Sequence, residues 1–305
     1  MELPIDTVKP AMTRLVPNSS GTAPPHLKAP ANACDCHHHI YDTARFALPE
    51  PKPVRPAPTD STVADYRLLQ QCSGTTRNVI VQPRHYGTDN TVTLDALEQF
   101  GANARGVAVV HPDISDVELR RFNDAGMRGI RFSLGDPKTR VVQPEMIEPL
   151  AKRIASLGWH IQFNIEADQI IELADLLWRL PVPLVFDHLG HPRLPAGPAC
   201  ESHAILRGLI DAGRAWVKIS GAYYNTEVGP PTYADATKIA QAFVKAAPER
   251  VVWGSDWPHP SAVDKPDDSL LFDLLSTWAP DEATRNRILV QNPETLYGFD
   301  RTPTH

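Results

Sequence analysis

Short apolar runs alternate with segments of helical periodicity along most of the chain. Eight runs predict β-strands near residues 34–41, 77–82, 105–111, 128–132, 159–165, 184–188, 215–220 and 250–256. Helical spacing of apolar residues lies between them, at 62–72, 91–100, 116–125, 144–158, from 168 onward, and at 233–247, 268–278 and 281–289. Parallel strands need crossover helices, and near-continuous apolar runs suit strands buried on both faces. We therefore expect a single (β/α)8 barrel.

A doubly wound open sheet is the alternative fold, but no Gly-x-Gly-x-x-Gly turn follows the first strand. Residues 1–32 contain Pro, Ser, Thr and Gly without apolar periodicity, which predicts a loose N-terminal arm. We expect the catalytic barrel over residues 33–300 and a short tail at 301–305. Five prolines between residues 49 and 58 predict a long, stiff loop on the same side as the first strand's histidines.

Composition narrows the class of protein. The net charge is −6 and no basic cluster is present, which argues against a nucleic-acid partner. No apolar run is long enough to cross a membrane, and the N-terminus does not resemble a signal peptide. Four cysteines without Cys-x-x-Cys spacing suggest reduced thiols, and hence a cytoplasmic location. Oligomer formation stays open.

Polar residues fall at the predicted carboxyl ends of the strands, which in a barrel form the catalytic face. Alternation along the first strand places His37 and His39 on one face and His38 on the other. A His-x-His pair alone could be an ordinary strand end. Unpaired buried polar groups cost about 1–3 kcal/mol each, so a full ring of them favours a functional site. The other members of this ring are Gln82, Arg84, His111, Arg131, Gln162, Asn164, His188, Ser220 and Asp256.

Three motifs in this order resemble the amidohydrolase superfamily over roughly residues 33–300. They are His-x-His on strand one, Asp-His-Leu-Gly-His at 187–191 and Gly-Ser-Asp-Trp-Pro-His at 254–259. The resemblance is to the amidohydrolase-2 branch, which includes 2-pyrone-4,6-dicarboxylate lactonases, sugar-acid lactonases and D-galactarolactone isomerase. It implies that Asp256 activates the nucleophile as a general base. It also implies that three histidines polarise the substrate carbonyl, namely His37, His39 and His188.

The resemblance leaves the metal content open. Members with two metal ions carry a carboxylated Lys or an acid on strand four and a His on strand five, where this chain has Arg131, Gln162 and Asn164. A single zinc ion bound by three nitrogens and a carboxylate is chemically reasonable, and its ligands would be His37, His39, His188 and Asp256. The lactonase branch is known for working without metal, so we expect no obligatory cofactor.

The expected substrate is a small lactone that carries a carboxylate. Its candidate binding residues are Arg84, Arg131, Gln162, Asn164, His191, Tyr224 and His259. Arg84 and Arg131 could instead be structural partners of buried acids. The pyrone-dicarboxylate lactonases carry more arginines than this chain does, and fewer arginines suit one carboxylate and several hydroxyls.

These residues favour a sugar-acid (aldarate) lactone as substrate, converted by hydrolysis or by 1,5/1,4 isomerisation as in D-galactarolactone isomerase. The same side chains serve either reaction, because water or a substrate hydroxyl can act as the nucleophile. Three alternatives stay open: a 2-pyrone-4,6-dicarboxylate-type lactonase, a metal-dependent decarboxylase of the same superfamily, and a binding barrel without catalysis.

Overall fold

Eight parallel strands pair in sequence order, β1 to β8, and form a nearly closed barrel in the computed structural model. The structure describes residues 15–21, 23–50, 59–135, 137–138 and 140–302. The strands are β1 Cys34–His38, β2 Arg77–Val81, β3 Ala104–Ala108, β4 Met127–Ser133, β5 His160–Asn164, β6 Leu184–Phe186, β7 Ala215–Ile219 and β8 Val251–Trp253. The predicted (β/α)8 barrel is confirmed.

Helices connect successive strands on the outside of the barrel, and further helices follow the last strand. They are α1 Val63–Ser73, α2 Thr91–Phe100, α3 Asp116–Asp124, α4 Ile147–Ile154, α5 Ala167–Glu172, α6 Ala174–Arg179, α7 Glu201–Asp211, α8 Ala234–Ala246, α9 Asp268–Trp278, α10 Glu282–Asn286 and α11 Asn292–Tyr297. Their ends follow local signals. For example, Thr62 and Asp65 form a capping box at the start of α1, and Gly74 ends that helix in a left-handed conformation.

Strands β6 and β8 are shorter than the sequence pattern predicted. β6 ends at Phe186 and β8 at Trp253, so His188 and Asp256 lie in the turns that follow. Both residues have a positive φ, 51° for His188 and 64° for Asp256. The left-handed region costs a non-glycine residue on the order of 1–3 kcal/mol and is concentrated at functional sites.

The seam between β1 and β8 closes the barrel through a few specific contacts. The Asp256 amide donates to the His37 carbonyl at 2.8 Å, and the His39 amide donates to the Trp257 carbonyl at 2.8 Å. A Cβ atom at Gly254 would lie 2.6 Å from the His37 Cβ, so only glycine permits this approach.

A buried carboxylate holds the same seam. Asp35 Oδ1 accepts from the amides of His37 (3.0 Å) and Ser255 (2.9 Å), and Oδ2 accepts from the hydroxyls of Ser255 (2.6 Å) and Tyr66 (3.0 Å). Burial raises the pKa of Asp35 to about 6, against the lowering effect of these four donors. The side chain therefore ties β1 to the segment after β8 and to α1.

Residues 15–21 and 23–32 lie against the barrel. The Trp257 indole donates to the Pro17 carbonyl at 2.6 Å, and the Leu27 amide donates to Asp273 on α9 at 2.8 Å. Residues 1–14 of the predicted arm and residues 51–58 of the Pro-rich loop lie outside the described residues. Among the described helices, none has the length and apolar character needed to cross a membrane.

We predict that Asp35→Ala destabilises the fold by about 3 kcal/mol or more, because two buried amides and two hydroxyls lose their acceptor. Tyr66→Phe removes one donor from the same carboxylate and should cost only about 1 kcal/mol. Chemical denaturation of both variants measures the difference. Equal, small losses would show that the carboxylate does not hold the seam.

Candidate active site

Three imidazoles and one carboxylate converge at the carboxyl end of the barrel. The Nε2 atoms of His37 and His39 lie 3.3 Å apart. Asp256 Oδ1 lies 3.4 Å from His37 Nε2, 3.5 Å from His39 Nε2 and 3.7 Å from His188 Nε2. All four side chains are buried. The structure therefore brings together four residues that the sequence analysis assigned to the same site.

The three histidines of the first strand end face opposite sides, and the pairing of β1 with β2 shifts register between Asp35 and His38. His37 and His39 face each other with ring centroids 5.0 Å apart, whereas His38 stacks on Tyr66 at 3.6 Å. His38 therefore packs on the outer side of the strand, as alternation predicted.

Second hydrogen bonds fix two of the imidazole rings. His39 Nδ1 lies 2.7 Å from the Val81 carbonyl oxygen, which can only accept, so this nitrogen carries a proton. A neutral His39 therefore presents a bare Nε2 to the cluster. His188 Nδ1 lies 2.9 Å from the Ser220 hydroxyl, and the Asn225 side chain donates to the His188 carbonyl at 2.9 Å.

The electrostatics of the cluster favour a charged Asp256 beside neutral His37 and His188 rings. Burial raises the pKa of Asp256, but the neighbouring His188, His39 and His37 outweigh it and hold the pKa well below its usual value. Burial lowers the pKa of His188 to about 4 and that of His37 well below its usual value. Asp256 is therefore ionised near neutral pH, as a general base must be.

A second buried carboxylate, Asp187, lies beneath the cluster. Its Oδ2 accepts from Arg131 Nε at 3.0 Å and from Gln162 Nε2 at 3.1 Å. Its Oδ1 lies 3.2 Å from His37 Nδ1 and 3.6 Å from Lys218 Nζ. Burial raises the pKa of Asp187, but its interactions with His37, Arg131 and Lys218 together outweigh burial and lower it.

Lys218 on β7 is fully buried and completes this network. Its ammonium donates to the Cys36 carbonyl at 2.8 Å and to Gln162 Oε1 at 2.7 Å, and it lies 3.3 Å from His37 Nδ1. Burial lowers its pKa, and the Asp187 carboxylate opposes that shift. A buried lysine is retained only when it is paired.

A cavity of about 340 Å³ opens above the cluster. Polar and charged side chains from several strand ends line it, together with a few apolar ones. The lining residues are His39, Tyr41, Gln82, Arg84, Val109, Arg131, Ser133, Gly135, Val141, Val142, Asn164, Glu166, His188, His191, Tyr224, Asp256, Pro260 and Ser261. The volume is at the small end of ligand cavities and suits a single small molecule.

Most of the substrate-binding candidates reach this cavity: Arg84, Arg131, Asn164, His191 and Tyr224. His191 Nε2 lies 2.9 Å from Asn164 Oδ1, so these two orient each other. The structure does not bring Gln162 and His259 to the cavity wall. Gln162 points to Asp187 and Lys218 below the cluster, and His259 points to Tyr223 and Asp268 behind it.

Sequence reasoning missed several residues that surround the site. Lys218 does leave a signal in the sequence, because a lysine inside the apolar run Ala215–Ile219 is unusual for a buried strand. Asp187 and Tyr223 leave no such signal in the sequence. The contact of Tyr223 with Asp256, for example, depends on chain folding over 33 positions.

The donor set fits a single metal ion. In a tetrahedral zinc site with bonds of about 2.0–2.1 Å, the ligand atoms lie about 3.3 Å apart. His37 Nε2, His39 Nε2 and Asp256 Oδ1 are 3.3–3.5 Å apart. They form one of two His/Asp groups among the described residues that could hold an ion, and the other contains His37, Asp187 and His188.

Comparison with known proteins agrees with these features. A family model described as amidohydrolase matches residues 34–299. The 2-pyrone-4,6-dicarboxylate hydrolase of Comamonas testosteroni is 36% identical over 282 residues, covering 90% of this chain and 92% of that protein. The D-galactarolactone isomerase of Agrobacterium fabrum is 31% identical over 293 residues, covering 94% and 97%.

The fold comparison gives the same answer. An apo crystal structure from Agrobacterium tumefaciens superposes with a TM-score of 0.82 at 29% identity, covering 91% of this chain and 100% of that one. The family match spans all eight strands and all four members of the central cluster. The chain therefore belongs to the amidohydrolase-2 family and is an enzyme of its lactone hydrolase and isomerase group.

Proposed function

We propose that this enzyme acts on the ester of a carboxylate-bearing lactone, and that a sugar-acid lactone is the substrate class. One observation carries the proposal: the ionised Asp256 faces three imidazole Nε2 atoms within 3.7 Å at the floor of a cavity with arginines in its wall. This arrangement offers a base, a site for the carbonyl oxygen and a site for an anion.

Asp256 takes a proton from the nucleophile, which attacks the lactone carbonyl. The His37, His39 and His188 rings hold the carbonyl oxygen as it gains charge in the tetrahedral intermediate. The Nδ1 proton of His39 is already donated to the Val81 carbonyl, so this ring can donate from Nε2 only as an imidazolium beside the Asp256 carboxylate. Collapse of the intermediate breaks the C–O bond of the lactone ring, and the leaving alkoxide takes the proton that Asp256 had accepted. Water as nucleophile thus opens the ring, whereas a substrate hydroxyl forms a new ester and isomerises the lactone.

The cavity wall supports one carboxylate and several hydroxyls on the substrate. Arg131 already donates Nε to Asp187, which leaves part of its guanidinium for the cavity side. Arg84 would supply the principal charge-assisted contact. Asn164, His191 and Tyr224 would donate to or accept from hydroxyl groups. Gln162 and His259 act through other side chains in this proposal and do not touch the substrate.

A 2-pyrone-4,6-dicarboxylate-type lactonase is the second candidate, supported by the 36% identity to the Comamonas testosteroni hydrolase. It would need a second anion-binding group, for which Arg131 is the available cation. A metal-dependent decarboxylase is a weaker alternative, because β5 presents Gln162 and Asn164 and has no histidine at its carboxyl end.

We propose that no metal is obligatory. An ion, when bound, would be held by His37, His39, His188 and Asp256 and would polarise the lactone carbonyl. Two cations already lie next to the cluster: Arg131 Nε and Lys218 Nζ are 3.0 Å and 3.6 Å from the Asp187 carboxylate. Lys218 Nζ is also 3.3 Å from His37 Nδ1. A divalent ion on the other nitrogen of that ring would be repelled by this ammonium.

The test of function is a proton NMR time course with three kinds of lactone: aldarate 1,4- and 1,5-lactones, 2-pyrone-4,6-dicarboxylate, and a neutral aldonolactone. We expect ring opening or ring migration of an aldarate lactone, with kcat/KM at least about tenfold above the neutral one, the value of one charge-assisted contact. Preference for the pyrone would establish the second candidate. No turnover of any lactone would contradict the proposal.

The Arg84→Lys variant separates a substrate clamp from a structural role on the same panel. Lysine keeps the charge but loses the planar fork, so KM for the acidic lactone should rise about tenfold or more, with kcat nearly unchanged. Arg179→Lys, at an exposed ion pair on α6, is the matched control and should change neither constant. An equal loss on the neutral lactone would rule out a carboxylate clamp.

Metal removal tests the cofactor proposal. After dialysis against a strong chelator, and with elemental analysis showing less than about 0.1 ion per chain, we expect at least about half of the activity to remain. The melting temperature of the same samples is a second readout, because an ion bound only to the folded state raises it. Activity that disappears with the ion and returns with zinc would show that the metal is obligatory.

A further inference from the structure

Three side chains behind Asp256 form a continuous chain of polar contacts. The Tyr223 hydroxyl donates to Asp256 Oδ2 in a short hydrogen bond. His259 Nδ1 lies 3.1 Å from that hydroxyl oxygen, and His259 Nε2 lies 3.1 and 3.2 Å from the two carboxylate oxygens of Asp268. The order is therefore Asp256, Tyr223, His259, Asp268.

Three separate segments must meet to build this chain. Tyr223 lies in the turn after β7, His259 in the loop after β8, and Asp268 in the first turn of α9. The His259 side chain is fully buried and Asp268 is 5% exposed. The His259 backbone is also fixed, because its amide donates to the Asp256 carbonyl at 2.7 Å and its φ is 57°. Burying polar side chains costs free energy unless they are hydrogen-bonded, and here each side chain of the chain is the partner of the next.

The direction of donation follows from the groups themselves. An ionised carboxylate only accepts, so Tyr223 is the donor to Asp256. Burial, reinforced by the negative charge of Asp256, raises the pKa of Tyr223 well above its usual value, so the phenol keeps its proton. Oδ2 of Asp256 is thereby occupied, while Oδ1 faces the three histidines.

We propose that Tyr223, His259 and Asp268 are positioning residues that hold the Asp256 carboxylate in one orientation, with Oδ1 presented to the nucleophile. The inference rests on the proposed role of Asp256 as general base. None of the three side chains lines the cavity, so they do not bind the substrate. Asp268 orients the His259 ring, His259 fixes the Tyr223 hydroxyl, and Tyr223 fixes the carboxylate.

The expected effect is on the chemical step. Without Tyr223 the carboxylate can turn about its Cβ–Cγ bond, and a small misplacement of a catalytic group can cost up to about a hundredfold in rate. Substrate binding should be nearly unaffected, since the cavity wall is unchanged. Tyr223→Phe should therefore lower kcat by about 10- to 100-fold and change KM by less than about threefold.

A double-mutant cycle tests whether His259 acts through Tyr223. His259→Gln alone should lower kcat about tenfold, but in the Tyr223→Phe background it should cause no further loss. Asp268→Asn should likewise lower kcat alone but cause no further loss in the Tyr223→Phe background. It replaces His259→Gln in the cycle if that variant does not fold. Tyr297→Phe is the matched control, because that buried hydroxyl has no hydrogen-bond partner among the described residues and the side chain does not line the cavity. Its kcat should equal that of the wild type.

Three outcomes would overturn the inference: additive losses in the cycle, a raised KM with normal kcat, or a Tyr223→Phe enzyme with normal kcat. Asp256→Asn, measured beside these variants, separates the two proposals. If Asp256→Asn is inactive and Tyr223→Phe is normal, only the positioning chain is wrong. If Asp256→Asn retains normal kcat, the general-base role itself is wrong and the chain has nothing to position.

Discussion

The close approach of β1 to the segment after β8 is the constraint on which the site depends. Two backbone hydrogen bonds across this seam, both 2.8 Å long, join His37 to Asp256 and His39 to Trp257. Closing the barrel therefore also brings His37 and His39 next to Asp256. Gly254 permits the approach and the buried Asp35 carboxylate secures it, so residues that never contact substrate determine the position of those that would.

The two buried carboxylates of the site, Asp187 and Asp256, differ in their surroundings and in their roles. Asp187 is enclosed, and two cations, Arg131 and Lys218, balance its charge. Asp256 lies at the cavity floor, where imidazoles and one phenol face it. Isolating a charge inside a protein is expensive, so the cations that stabilise Asp187 are needed for the fold. Of these two carboxylates, Asp256 is the one that lines the cavity and can accept a proton from a molecule bound there.

The sequence predicted the barrel from local patterns, and it predicted the central cluster from strand ends together with the three motifs that resemble the amidohydrolase superfamily. Alternation along β1 separates His37 and His39 from His38, and parallel strands bring their carboxyl ends to one edge. Local patterns do not show whether a side chain reaches the cavity or lies below it. Gln162 and His259 were therefore predicted to contact substrate, although the structure points them at Asp187 and Tyr223 instead.

Long-range contacts account for the rest of what the sequence could not provide. Lys218 lies 181 positions from His37 in sequence, and Tyr223 lies 33 positions from Asp256. Neither pair is implied by any spacing rule. The left-handed turns at His188 and Asp256 were equally unreadable, since both residues follow apolar runs that look like continuous strands.

The most direct test of the account is single-turnover kinetics of Asp256→Asn with its lactone substrate, together with the dissociation constant. Asparagine keeps the shape of the side chain but cannot take the proton. We expect an unchanged dissociation constant and melting temperature, with ring cleavage slowed by at least about a hundredfold, the usual contribution of a general base. A folded variant that cleaves the ring at nearly the wild-type rate would contradict the account.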